Sequence, residues 1–156
     1  MSSNQEQLQR EIIARSNAHE WSAARIEWEL DYIVRSEEPE TCLCGHHPII
    51  ELCWLRNNVN NNKALVGNVC VNRFMGLGSQ ALFDGLRRIA KDQSAAANEA
   101  LIHYAYNRQW VTDWEFKFLL NTRLKRRLSR KQRAVREKVN NIVLRNVVRE
   151  NAHEST

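Results

Sequence analysis

Residues 42–74 read CLCGHHPIIELCWLRNNVNNNKALVGNVCVNRF, and this stretch holds all the cysteines of the chain, Cys42, Cys44, Cys53 and Cys70. Ile49 to Arg56 is a β-rich run, NNVNNN is turn chemistry, and Lys63 to Val66 is a second short strand, so the segment predicts a β-hairpin. Gly67 and Asn68 supply the backbone angles of a tight turn just before Cys70, and VNRF continues as short helical or irregular chain. Cys42-Leu43-Cys44-Gly45 is a metal knuckle: two thiolates one residue apart, on a turn that Gly45 allows to fold back. Cys53 from the first strand and Cys70 from beyond the second complete four soft ligands, which suit a closed, tetrahedral, structural Zn²⁺ site. His46 and His47 follow the knuckle, and either one in place of Cys53 is the alternative ligand set. Without a metal, the alternatives are unpaired buried thiols or a redox pair.

Upstream, Leu8, Ile12 and Ile13 mark a short amphipathic segment within Gln5 to Arg15. Asn17 with Glu20 then forms a partial capping box. Trp21, Ala24, Trp28 and Tyr32 recur at steps of three or four, with Leu30, Ile33 and Val34 widening the apolar arc, which predicts a second helix ended by Pro39. Downstream of the MGLGS hinge, Ser79 caps a helix bearing Leu82, Phe83, Leu86 and Ile89, and another helix is expected from Ser94 to Arg108. Thr112 with Glu115 and Ser129 with Gln132 stand in capping-box order and divide the basic C-terminus into two helices. Val135, Val139, Ile142, Val143 and Val147 form the apolar stripe of the last one. Trp54 alternates with Cys53 and so faces away from the metal, while Trp110 and Trp114 are expected to brace the Thr112 cap.

The fold class predicted is therefore mainly α, a helical domain with an inserted zinc-bound β-hairpin. Its parts are N-terminal helices over 1–40, the zinc module over 41–75, a basic helical region over 79–150 and a frayed tail over 151–156, packed as one compact unit. A chain of 156 residues that is 43% apolar, with five Trp, two Pro and five Gly, is globular rather than disordered or fibrous. No stretch approaches the roughly 20 apolar residues of a membrane span, and MSSNQEQLQREIIARS lacks the regions of a signal peptide. The expectation is a cytoplasmic protein, in the host cytoplasm if phage-encoded, with no membrane partner. In that reducing setting clustered cysteines read as metal ligands.

The runs CLCGH, ELCWLRN and VGNVCVNRF together resemble a small zinc-finger module of bacteriophage and other mobile-element proteins. The resemblance covers roughly residues 42–74. It extends more weakly over Val111 to Ile142, where TDWEFKF and LSRKQR are similar to C-terminal segments of such proteins. It implies zinc binding and a mobile-element origin, and in related modules the third ligand position is not always Cys.

Catalytic signatures are missing from the sequence: there is no H-E-x-x-H, G-x-S-x-G or P-loop pattern, and the acidic pair Glu37 and Glu38 reads as a solvated connector. A non-enzymatic role is expected. The net charge of +5 hides an asymmetry, since residues 1–62 hold ten acids against five bases and residues 123–149 hold eleven bases against Glu137 alone. Arg123, Lys125, Arg126, Arg127, Arg130, Lys131, Arg133 and Arg136 predict contacts to the phosphate backbone of DNA or RNA. The competing function is a phage-encoded inhibitor or regulator that binds a host protein or nucleoprotein complex.

Overall fold

The computed structural model describes residues 2–154, with side chains described through Val148; Met1, Ser155 and Thr156 lie outside the described residues. The chain divides into two compact units, one built on Met1–Gln80 and the other on Ala81–Arg149. The expected break near residue 40 is bridged by strand pairing, and the hinge segment MGLGS falls just before the division.

The first unit opens with α1 (Ser3–Ala14), whose Ser2 hydroxyl accepts the Gln5 amide, and the short α2 (Trp21–Arg25). Three antiparallel strands follow, β1 (Trp28–Glu40), β2 (Ile49–Asn57) and β3 (Lys63–Gly67), in the order β1-β2-β3. The predicted hairpin is β2–β3, with Cys53 opposite Val66 and Trp54 opposite Leu65.

The predicted Trp21–Tyr32 helix is corrected. It ends at Arg25, and Trp28 begins a thirteen-residue strand whose Tyr32, Ile33 and Val34 pair with Trp54, Cys53 and Leu52. Aromatic and β-branched residues suit a pleated surface, and β2 pairs with β1 from Trp28 to Arg35 despite a register shift between Leu30 and Tyr32, so tertiary pairing overrides the local helical spacing. Pro39 does not end a helix; it lies in β1 beyond the irregularity between Arg35 and Glu40, on an edge strand where a missing N–H is tolerated. The molecule is 51% helix and 18% strand, so the class is mixed α/β rather than mainly α with an inserted hairpin.

Tyr32, Val34 and Leu52 form one buried cluster on the sheet, with Ile49, Trp54 and Leu65 packed against it. The Tyr32 and Trp54 rings stack at 6.3 Å between centroids. The asparagine-rich turn is built by its own side chains: Asn57 Oδ1 accepts the amides of Val59 and Asn60, and Asn61 takes φ +62°. Asn60 and Asn62 reach back to the Arg15 carbonyl and tie the turn to the end of α1.

After β3 the chain makes one turn of α3 (Asn68–Cys70), which runs into a π-helical turn over Val71–Met75 and ends at Gly76 in the left-handed region. The second unit comprises α4 (Gln80–Lys91), α5 (Glu99–Asn107), α6 (Asp113–Thr122) and α7 (Arg130–Glu154). α5 starts later than expected because Asp92 captures the Ser94 amide and hydroxyl in a turn and Asn98 becomes the cap. Asn98 also packs on Gly85, where a Cβ would stand 2.8 Å from Asn98 Oδ1 and would push on the residue that caps α5.

Both predicted capping boxes are present. The Glu115 amide donates to Thr112 Oγ1 and the Thr112 amide to Glu115; the Gln132 amide donates to Ser129 Oγ and the Ser129 amide to Gln132. Along α7, Val139, Val143 and Val147 are buried as the stripe required.

Candidate metal centre and basic surface

The knuckle turns at Gly45, which holds φ +93°, and closes through the Cys42 amide to the His46 carbonyl at 3.0 Å and the Gly45 amide to the Cys42 carbonyl at 2.8 Å. The turn aims N–H groups at sulfur. Cys42 Sγ accepts the amides of Cys44 (3.4 Å) and Gly67 (3.2 Å), and Cys44 Sγ accepts the amide of His46 (3.4 Å) and the side-chain amide of Asn4 (3.6 Å). Such donors stabilise thiolate over thiol.

The Sγ atoms of Cys42, Cys44 and Cys70 lie within 4.8 Å of one another, and all three residues are buried. Thiolates bound at about 2.3 Å around a tetrahedral ion stand roughly 3.8 Å apart, so the cluster fits a metal ion with little rearrangement. These three cysteines can hold a metal. Hydrogen bonds from the Cys70 thiol and from the amides of Gly67 and Cys44 lower the pKa of Cys42 against the opposing effect of burial.

Cys53 is not in the cluster. It is fully buried in β2, burial pushes its thiol up to about 12, and its polar contact is with Ser79. It still feels the charge of Cys42, but its sulfur is not part of the three-cysteine group. His47 is exposed and its Nδ1 is 2.9 Å from Thr41 Oγ1. The exposed His46 lines a cleft of about 570 Å³ that also contains Cys42, Cys44, Cys70, Glu51 and Arg73.

Two supports of this centre lie outside the reach of sequence spacing. α1 is fastened to the knuckle through Asn4 and through Gln7, whose side-chain amide donates to the Leu43 carbonyl at 3.2 Å, across about forty residues of chain. Cys70 sits between Asn68 and Asn72, which are joined in a network: Asn72 Nδ2 donates to Asn68 Oδ1 (2.7 Å), Ser79 Oγ donates to the same oxygen, and Asn72 Oδ1 accepts the first amide of α4. The asparagines of VGNVCVN were the available signal for this network, while Asn4 and Gln7 carried none.

In the second unit, Lys125, Arg126, Arg127, Arg130, Lys131 and Arg133 are exposed along the α6–α7 connection and the first turn of α7. None of the six forms an ion pair among the described residues. Arg123 is partly buried and pairs with Glu99 at 2.9 Å. Arg136 is corrected from a surface contact to a structural group: it is 5% exposed and donates to the carbonyls of Thr122 (2.6 Å) and Ser94 (3.2 Å). Its heptad position on the valine side of α7 carries it inward. Trp114 does not brace the cap, being 62% exposed and stacked on Phe118, whereas Trp110 meets the edge of Tyr104.

No protein-family model, curated protein or solved structure matches the chain. Fold and site define a mixed α/β protein of two units, with three buried cysteines able to hold a metal ion in the first. Among the described residues, no helix is long and apolar enough to cross a membrane.

Proposed function

We propose that this is a non-enzymatic, zinc-containing nucleic-acid-binding protein of phage or mobile-element type, in which a structural zinc ion joins Cys42, Cys44 and Cys70 and the basic stretch 125–133 grips the phosphate backbone. The observation that carries the binding role is the run of six exposed, unbridged cations on consecutive turns of one connection. Bases neutralised within the fold would be of no use to a polyanion, and two of the eight expected, Arg123 and Arg136, are used in that way. The six others are exposed and form no ion pair among the described residues, and although Asp92 feels the charge of Arg133, the surplus is positive. Zinc is favoured over other ions by soft thiolate donors at tetrahedral spacing, and its role is to fix the knuckle against the sheet.

The test is a fluorescence titration with duplex DNA, single-stranded DNA and RNA at two salt concentrations, on protein whose zinc content is measured in the same sample. Binding should weaken with salt, with a log–log slope approaching about 5 if all six cations meet duplex phosphates. The Arg126→Glu/Arg130→Glu/Arg133→Glu variant should keep its zinc and lose binding. No binding at low salt overturns the reading and favours the competing one, a regulator that docks on a host protein, for which exposed Trp114 and Leu124 are the specific observation.

A further inference from the structure

Three thiolates leave a tetrahedral ion one ligand short, and the cleft beside them limits what can complete it. Of the residues lining that cleft, His46 and Glu51 are the remaining groups able to ligate a metal. Glu51 is engaged by the side-chain amide of Asn68 at 3.3 Å, and a fourth anion would leave the site with two net negative charges. His47 is held by Thr41, and Cys53 lies outside the cluster.

His46 differs from each of these. Its amide already donates to Cys44 Sγ and its carbonyl accepts the Cys42 amide, so its Cα is fixed beside two of the sulfurs. Its exposed ring forms no hydrogen bond among the described residues, so rotation about the side-chain bonds costs no existing partner. A neutral imidazole leaves a single negative charge, with Arg73 on the same cleft wall to balance it.

We infer that His46 is the fourth ligand, making a Cys42-Cys44-His46-Cys70 centre in which three ligands come from five consecutive residues. This rests on the metal-binding reading above. The imidazole also faces the cleft, so the ion has one ligand that a small molecule or competing metal can reach, while its three sulfurs stay buried.

The test uses the reduced full chain loaded with Co²⁺, with zinc X-ray absorption on a parallel sample. Expected are visible and charge-transfer bands of three thiolates and one imidazole, and an absorption fit with three sulfurs and one imidazole nitrogen. His46→Ala should lose the imidazole signature and weaken zinc by more than about tenfold, the least expected when even a supporting partner is lost. Cys53→Ala and His47→Ala should keep both spectrum and affinity. A four-sulfur spectrum, a three-sulfur centre completed by oxygen in the wild type, or an unchanged His46→Ala variant overturns the assignment. If the wild type binds no stoichiometric metal, the metal reading itself fails and His46 with it.

Discussion

Glu27 shows how much a single side chain can organise. Its carboxylate accepts the amides of Asn17 and Ala18 at 2.8 Å each and the side-chain amide of Asn57 at 2.9 Å, and its carbonyl accepts the Asn58 amide. The Asn57 bond first, then those amides, lower its pKa from the ordinary 4.5 against the opposing effect of burial. A carboxylate with a depressed folded-state pKa stabilises above the unfolded value and loses that contribution as pH falls through the folded one. The melting temperature of the first unit should therefore drop in acid, beginning below about pH 4.5. Glu27→Gln should melt lower at neutral pH and show a flatter acid limb by circular dichroism. Arg136 is a second such residue: Arg136→Leu leaves two carbonyls without their charged donor and should cost about 2 kcal/mol in urea denaturation. It should leave the salt slope of nucleic-acid binding unchanged, whereas Arg126→Glu should flatten it. Neither residue was legible in the sequence, because a lone Glu and one Arg among eleven bases differ from their neighbours only in partners distant along the chain. Cys42 and Cys44 were legible because thiols at knuckle spacing carry their chemistry locally, and Cys70 because the hairpin read from the β-rich runs and the asparagine turn brings the chain back to them. Cys53 looked equivalent by residue type, and only the strand register separates it.

Among the elements, the β2–β3 hairpin, α6 and the start of α7 matched expectation through local chemistry. The expected Asn17–Glu20 capping box, by contrast, does not form at α2, α5 starts at an Asn98 cap rather than near Ser94, and β1 replaces a helix. The β2–β3 hairpin has its turn asparagines, and α6 and α7 have reciprocal caps whose spacing is fixed at three residues. Thr112→Ala should lower the stability of the second unit by about 1 kcal/mol, measured by thermal or urea unfolding. β1 had no such local mark. Its residues satisfy a helical stripe and a strand equally well, and the ladder on β2 decides between them. Deleting residues 1–39 would remove that strand together with the Asn4 and Gln7 bonds to the knuckle. The remainder should then lose metal affinity and expose the Trp54 side of β2, read as zinc release and increased binding of a hydrophobic dye.

At the scale of the whole molecule, the chain carries its acidic half and the three-cysteine cluster in one unit and its basic surface in the other. Chelation should therefore act unevenly. Stripping the metal should accelerate amide hydrogen exchange in β2, β3 and α3, while α5, α6 and α7 keep their protection. Uniform loss of protection would show that the two units unfold together. Ser2 and Asn4 line the same cleft as Cys42 and Cys44. An oligohistidine purification tag fused ahead of Ser2 would thus deliver surplus imidazoles to the mouth of the metal centre, so recombinant protein should carry its affinity handle at the opposite terminus.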